Sequence, residues 1–375
     1  MAGIYIHIPF CKQTCSYCDF HFSTSLKSKE ALISSLIREI ELQKNYLGKD
    51  ALIETVYFGG GTPSLLSSEE HDTVFKVLYN TFKIAKNAEI TLEANPDDLS
   101  KIKLQELILS PVNRLSIGIQ SFFEADLKLM NRAHNSQQAE NCIKVSQDAG
   151  FENITIDLIY GTPGLSNTNW KKNLDKAFNF GVPHLSCYSL TVEEKTPLES
   201  HIKKGKVNPL DEEQSAEQFL ILMEETAKNG FKQYEISNFC KPDFHSRHNS
   251  NYWKGIKYLG LGPSAHSFDG KSRQWNISNN FRYIQSITEN KIAAEKENLT
   301  IEQKFNEYMM IGLRTSTGIS LEKVRNEFGE NYLSNLLTEA KNYLDCNKIS
   351  LKDNHLILTN AGKLIADRIS SDFFA

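Results

Sequence analysis

Between Gly3 and Thr191 the chain alternates two kinds of hydrophobic pattern. Short runs dense in Ile, Val, Leu and aromatics begin at Gly3 (GIYIHIPF), Glu54 (ETVYFGGG), Glu89 (EITLEANP), Arg114 (RLSIGIQS), Asn153 (NITIDLIYG) and His184 (HLSCYSLT). Their length and residue types predict strands. Segments starting at Ser28, Ser67, Ser136 and Asn167 instead repeat apolar residues at helical spacing, which predicts amphipathic helices. Several open on Ser or Asn with an acidic residue or Gln close behind, and two close on Gly. Those residues satisfy the free backbone groups at helix ends. Six strand-then-helix repeats imply parallel strands joined by right-handed crossovers. The expected architecture is α/β, a partial six-stranded (β/α)6 barrel over residues 1–230, with its site at the C-terminal ends of the strands.

A helix near Asp211–Gly230 closes this unit. Residues 231–299 read as an irregular, aromatic-rich connection containing FKQYEISNF, HNSNYW and YLGLGPSAHSF. From about Thr300 a third pattern begins, with helices predicted at Glu302–Arg314, Ser320–Phe328 and Asn331–Asp345. A hairpin, ISLKDNHLILT, turns at Asp353-Asn354, and a last helix spans Asn360–Ile369. Residues 300–375 therefore read as a winged-helix-like C-terminal domain covering the barrel mouth. There are no internal repeats or low-complexity tracts.

Composition adds bounds. The chain has 375 residues, 40% hydrophobic and 23% charged, enough for a large core and a smaller second one. A formal net charge of -4 and a pI near 6.2 provide no general positive field for polyphosphates or anionic lipid. The N-terminus lacks the charged leader and apolar core of a secretory signal. No apolar run approaches the ~20 residues of a membrane span. The expected location is the cytoplasm, where thiols stay reduced and close cysteines favour metal over disulfides.

Three of the seven cysteines, Cys11, Cys15 and Cys18, are spaced C-x3-C-x2-C in the loop directly after the first strand. Three thiolates can hold three irons of a cubane and leave the fourth iron open. A zinc site would need a further ligand, such as His7 or His21, or a bound water. Gly59-Gly60-Gly61-Thr62-Pro63 ends the second strand, where backbone without Cβ can approach a ligand. It would serve equally as a plain turn. Glu93 and Gln120 close apolar strands, while Asp157 and Arg132 lie near other strand ends. One topological rule directs all four to the barrel mouth. His248 lies in HNSNYW, where imidazole is a candidate haem ligand and Tyr252 and Trp253 offer aromatic surface. His245 and His266 are reserves. Cys142 and Cys187 read as buried structural residues, and Cys240 lies near the HNSNYW stretch.

The cysteine spacing, preceded by YIHIPF and followed by Asp19-Phe20, resembles the radical S-adenosylmethionine (SAM) superfamily, specifically its coproporphyrinogen-dehydrogenase-like branch. The resemblance runs through nearly the whole chain. It implies a [4Fe–4S] cluster on Cys11, Cys15 and Cys18 whose open iron is chelated by SAM. It further implies SAM contacts from Gly60, Gly61 and Thr62, and a SAM environment completed by Tyr5, Glu93, Gln120, Arg132 and Asp157. HNSNYW is similar to the HNxxYW motif of the haem chaperones in this branch, which implies haem binding.

One departure separates members of the branch. The dehydrogenase carries a further Cys two positions after the third, where Phe20 stands here, and an N-terminal extension before the first strand. Both differences favour a haem chaperone over oxidative decarboxylation of coproporphyrinogen III, and leave SAM cleavage open. A nucleic-acid-binding C-terminal domain is the third reading. Its cations (Lys348, Lys352, Lys363, Arg368) are interspersed with acidic residues, so no nucleic acid partner is expected. The expected partners are haem, SAM and recipient haemoproteins, among them membrane-associated respiratory enzymes, and the chain is compatible with a homodimer.

Overall fold

The computed structural model describes all 375 residues. Six strands, β1 (Ala2–Ile8), β2 (Leu52–Gly60), β3 (Lys83–Ala94), β4 (Arg114–Gln120), β5 (Ile154–Tyr160) and β6 (His184–Ser189), pair in parallel in sequence order. The crossovers carry α1 (Lys29–Leu42), α2 (Ser68–Thr81), α3 (Lys101–Leu109), α4 (Glu124–Leu129), α5 (Ser136–Asp148) and α6 (Asn167–Asn179). This is the expected partial barrel. Capping boxes start two of these helices: Ser67 with Glu70 for α2, and Asn135 with Gln138 for α5. After β6 come α7 (Pro197–Lys203) and α8 (Glu212–Lys228).

The stretch 231–299 is more regular than its sequence suggests. It supplies β7 (Lys232–Gln233), β8 (Asn238–Cys240), α9 (Arg247–Trp253), β9 (Tyr258–Leu261), β10 (His266–Phe268), β11 (Ser272–Asn276), α10 (Asn280–Thr288) and β12 (Ala294–Asn298). β8 and β7 extend the sheet beyond β6, while β9 to β12 extend it beyond β1, with β9 parallel to β1. These strands are two to five residues long, too short to display a two-residue period. They form because an existing sheet edge offers unpaired backbone groups. The outermost, β12, reads AEKEN and is almost wholly exposed, a charged edge that discourages further pairing.

The C-terminal unit comprises α11 (Ile301–Leu313), β13 (Ile319–Ser320), α12 (Leu321–Phe328), α13 (Glu330–Asp345), β14 (Ile349–Lys352), β15 (His355–Leu358), α14 (Asn360–Lys363) and α15 (Ala366–Asp372). The helix–strand–helix–helix–hairpin order is that of a winged helix. Asp353 and Asn354 both take positive φ, 47° and 62°, at the hairpin turn, as a two-residue turn of the primed type requires. The expected single last helix is broken at Leu364–Ile365. Fifteen buried residues form a core here separate from the 54-residue core of the barrel, so this unit packs around its own centre.

Candidate functional site

The loop after β1 is pinned on several sides. Cys11 N donates to Ser23 O (3.1 Å) and Ser23 N to Pro9 O (2.8 Å), closing its base. Ser16 N donates to Met130 O (3.0 Å), and Asn131 Nδ2 to Thr14 O (2.7 Å). Lys12 forms ion pairs with Asp97 (2.8 Å) and with Asp98. A loop fixed this way holds its side chains in place before any ligand binds. Cys11, Cys15 and Cys18 are free thiols facing one cavity of about 1330 Å³. No three His, Cys, Asp or Glu side chains converge tightly enough to chelate a single ion. Thiols that each bind a different iron of a cubane have no need to converge, so the donor set fits a cluster better than one metal ion.

The glycine segment at the end of β2 forms the next wall. Gly60 has φ 103°, and a Cβ on it would lie 2.5 Å from the His7 ring. A Cβ on Gly61 would lie 2.7 Å from the carbonyl oxygens of both Ile8 and Phe10. Only glycine lets this turn close against the root of the cysteine loop. Thr62 Oγ1 donates to Cys11 Sγ (3.5 Å) and accepts from Asn95 Nδ2 (3.1 Å).

Strand ends carry the charges. Glu93 accepts from Tyr57 Oη (2.7 Å) and Gly60 N (3.2 Å). Burial pushes its carboxyl up to about 7; the charge of Asp157 adds to this, and the two hydrogen bonds oppose it. Burial pushes Asp157 up to about 6 against the pull of its bond to Ser186 and of Arg132 and Arg114. Gln120 has φ 64°, beside a register shift between β4 and β5. Left-handed backbone in a non-glycine residue at a strand end is the kind of strain that collects at functional sites. Arg132 donates through Nη2 to Asn95 Oδ1 (2.6 Å) and Gly118 O (2.9 Å), and through Nη1 to Cys15 Sγ (3.1 Å). Its Nε is buried without a partner.

The structure thus brings ten residues singled out in the sequence to one cavity: the three cysteines, Gly60, Gly61, Thr62, Glu93, Gln120, Arg132 and Asp157. Tyr5 instead faces a second, smaller cavity of about 720 Å³, its hydroxyl 3.1 Å from His7 Nδ1. Asp19, Phe20, Phe22, Gly60 and Glu93 border both cavities. His248 reaches neither. It is buried, with Nδ1 2.8 Å from Thr55 Oγ1 and Nε2 2.9 Å from Tyr252 Oη, and its ring stacks on Tyr57 at 5.0 Å. Burial pushes it down to about 3. Both ring nitrogens of His248, the candidate haem ligand, are thus engaged by hydroxyl groups inside the protein. His245 is exposed and borders neither cavity.

Several contributors escaped the sequence reading. Asn95 ties Thr62 to Arg132, and Tyr57 orients Glu93. Glu89 accepts from the backbone N–H groups of Arg247 and His248 and so caps α9. Arg314, Lys363, Leu364 and Ile365 reach the main cavity from the C-terminal unit. Asn95 follows a strand end and was detectable by the rule that found Glu93; the others depend on packing between segments far apart in sequence.

Residues 5–178 match the family model of the radical SAM superfamily, and residues 299–365 that of the HemN C-terminal domain. Over its whole length the chain is 32% identical to the heme chaperone HemW of Bacillus subtilis (strain 168), covering 99% of that protein. The chain belongs to the HemW family. A second member, heme chaperone HemW of Lactococcus lactis subsp. lactis, is 34% identical over 95% of this chain and 94% of its own. The fold of the family is shared with coproporphyrinogen III oxidase (HemN) from Escherichia coli, at a TM-score of 0.87 and 20% identity, covering all of this chain and 90% of that one. Membership of the radical SAM superfamily implies a [4Fe–4S] cluster and SAM. No helix is long and apolar enough to cross a membrane.

Proposed function

We propose that this chain is a cytoplasmic haem chaperone, binding haem and handing it to recipient haemoproteins, among them membrane-associated respiratory enzymes. Full-length similarity to proteins named heme chaperone HemW carries this reading. Phe20 supports it over decarboxylation of coproporphyrinogen III, since a Cys of the dehydrogenase is missing there. Cys11, Cys15 and Cys18 would hold the cluster, and such a cluster supplies one-electron reduction of the SAM sulfonium. Gly60, Gly61 and Thr62 offer SAM's amino group backbone and hydroxyl partners. Glu93, Gln120, Arg132 and Asp157 would hold its carboxylate, ribose and adenine. The hydroxyl of Thr62 and the N–H of Arg132 point at the sulfurs of Cys11 and Cys15 and so orient the two side chains in the loop. A cavity of about 1330 Å³ exceeds the ~300–1,000 Å³ of a site for one small molecule, consistent with cluster and SAM together.

The test is an anaerobic haem titration of the cluster-loaded protein, followed through the Soret band. The expected result is saturation near one haem per chain, with transfer to an apo-haemoprotein added afterwards. Weak, non-saturating binding rejects the chaperone reading. Dimerisation on cluster and SAM loading belongs to the same proposal and is read by gel filtration.

A further inference from the structure

The residues given to the cluster and SAM account for only part of the main cavity's lining. They come from the cysteine loop, the ends of β2 to β5 and the segment after α4. The remaining lining comes from the end of β6 and the loop after it, the first half of α8, the turn between β7 and β8, and the C-terminal unit. Here the wall is apolar and aromatic, with Tyr160 at the end of β5 joined by Leu190, Phe219, Ile236, Leu364 and Ile365. Tyr160 and Phe219 lie nearly parallel, with 12° between ring planes and 6.1 Å between centroids, a surface that suits a flat, apolar ligand.

Three polar groups of this wall lack the partners their chemistry calls for. Tyr160 is 7% exposed, yet its hydroxyl makes no hydrogen bond within the protein. Burial and the neighbouring Cys187 thiol raise the phenol's pKa while the charge of Arg314 opposes them, so the group stays a neutral donor. Lys363 is half-buried, and its Nζ donates to two uncharged acceptors, Gln233 Oε1 (2.7 Å) and Asn360 Oδ1 (3.1 Å). No carboxylate pairs with it, and burial lowers its pKa, as expected of a cation short of a counter-charge. Arg314 pairs with Asp367 through Nη1 (2.7 Å), which leaves Nε and Nη2 unused. One short segment anchors both cations: Ile236 N donates to Arg314 O (3.0 Å), and Gln233 holds Lys363.

Charge gives this part of the cavity a direction. Glu193 and Glu212 line it from the loop after β6 and from α8, whereas the C-terminal unit contributes Arg314, Lys363 and Arg368 alongside Asp367. Buried Glu235 also lies near Arg314, but it accepts from Ser237 N (3.0 Å) and Asn238 Nδ2 and does not line the cavity. The cations of the C-terminal wall thus exceed its acids by one. That balance matches a single carboxylate, and neither a phosphate dianion nor the two propionates of haem.

We infer that the main cavity has a compartment beyond the cluster and SAM, a site for a small organic acid whose one carboxylate is gripped by Lys363, Arg314 and the Tyr160 hydroxyl. Its flat apolar body lies against Phe219, Ile236, Leu364 and Ile365. Tyr160 shares β5 with Asp157, so the acid lies next to SAM. The site stands whether or not the chain carries haem.

The test is anaerobic equilibrium dialysis of the full-length, cluster-loaded, SAM-saturated protein against naphthylacetate, with naphthylacetamide as its uncharged counterpart. Wild type, Lys363→Gln and Tyr160→Phe are compared. Wild type is expected to bind one acid per chain, about tenfold or more tighter than the amide, on the scale of a hydrogen-bonded charge. Each substitution is expected to weaken the acid about tenfold and to leave the amide unchanged. Tyr160→Phe keeps the ring and its packing on Phe219, so a loss there cannot come from a damaged wall. Acid and amide bound alike by wild type, or the acid bound equally by all three proteins, overturns the inference. Competition between the acid and SAM overturns it too, since the probe would then sit in SAM's own site, and so does displacement of the acid by haem. Absence of saturable binding at millimolar probe likewise overturns it.

Discussion

His71 lies on α2 with its ring edge-on to Phe58, 5.9 Å between centroids, and is 2% exposed. Burial, helped by the nearby charges of Lys103 and Lys29, pushes it down to about 3. In the unfolded chain an ordinary His titrates near 6.5. Below that pH the unfolded state takes up a proton that the folded state refuses, so the stability this group contributes is complete above pH 6.5 and is lost as pH falls toward 3. At pH 5 the loss is about 2 kcal/mol. His71→Phe is expected to remove that part of the acid sensitivity. Urea unfolding of both proteins at about pH 7 and pH 5 is the check, and equal losses in both would mean that His71 is already charged in the folded protein. Arg132 illustrates the same scale at the site. Its bonds to Asn95, Gly118 and Cys15 leave only Nε free, so this side chain is set before a ligand arrives.

At the level of elements, the added strands are held by one buried acid. Glu39 on α1 is 0% exposed and accepts from Gly262 N (2.7 Å), Tyr283 Oη (2.6 Å), Asn276 Nδ2 (2.7 Å) and Gln43 Nε2 (2.9 Å). These bonds tie α1 to the turn after β9, to the end of β11 and to α10. Glu39→Ala strands four buried donors and is expected to cost about 3 kcal/mol or more. The expected signature is a lower denaturant midpoint together with faster proteolytic cleavage between residues 262 and 290. Unchanged cleavage there would show that the edge strands are held by their ladder bonds alone. The same edge bears His266, so its stability and the shape of the second cavity are linked.

For the whole molecule, the decisive contact is between the C-terminal unit and the barrel. Ile236 N donates to Arg314 O (3.0 Å) and Ser316 N to Tyr234 O (3.0 Å), while Lys363 Nζ donates to Gln233 Oε1 (2.7 Å). Arg273 adds a two-pronged pair with Glu307, at 2.6 and 2.8 Å. These contacts carry Leu364 and Ile365, at the break between α14 and α15, to the main cavity. Apolar side chains over a cluster limit access of water and oxygen. The double change Leu364→Ser and Ile365→Ser is expected to leave folding intact, since both residues are more than a third exposed, and to speed bleaching of the cluster in air several-fold, on the scale of lost outer-shell support. Decay of the cluster's visible absorption measures it, and an unchanged rate would mean that this unit does not shield the cluster.

The six barrel strands, the helices that cap themselves and the winged-helix hairpin were legible in the sequence because each rests on local rules: apolar period, capping pairs and turn residues. The cluster loop, Gly60 to Thr62, Glu93, Gln120, Arg132 and Asp157 were legible as well, because a parallel barrel sends every strand end to one mouth. Only the tertiary structure decided the rest. The two-to-five-residue strands of 231–299 have no periodicity of their own and exist because β1 and β6 offer open edges. Whether a histidine faces a cavity or lies behind its wall depends on what packs against it, and nothing in HNSNYW announces that Thr55 and Tyr252 occupy both nitrogens of His248. His266, by contrast, borders the second cavity, a difference of environment invisible in the residue type.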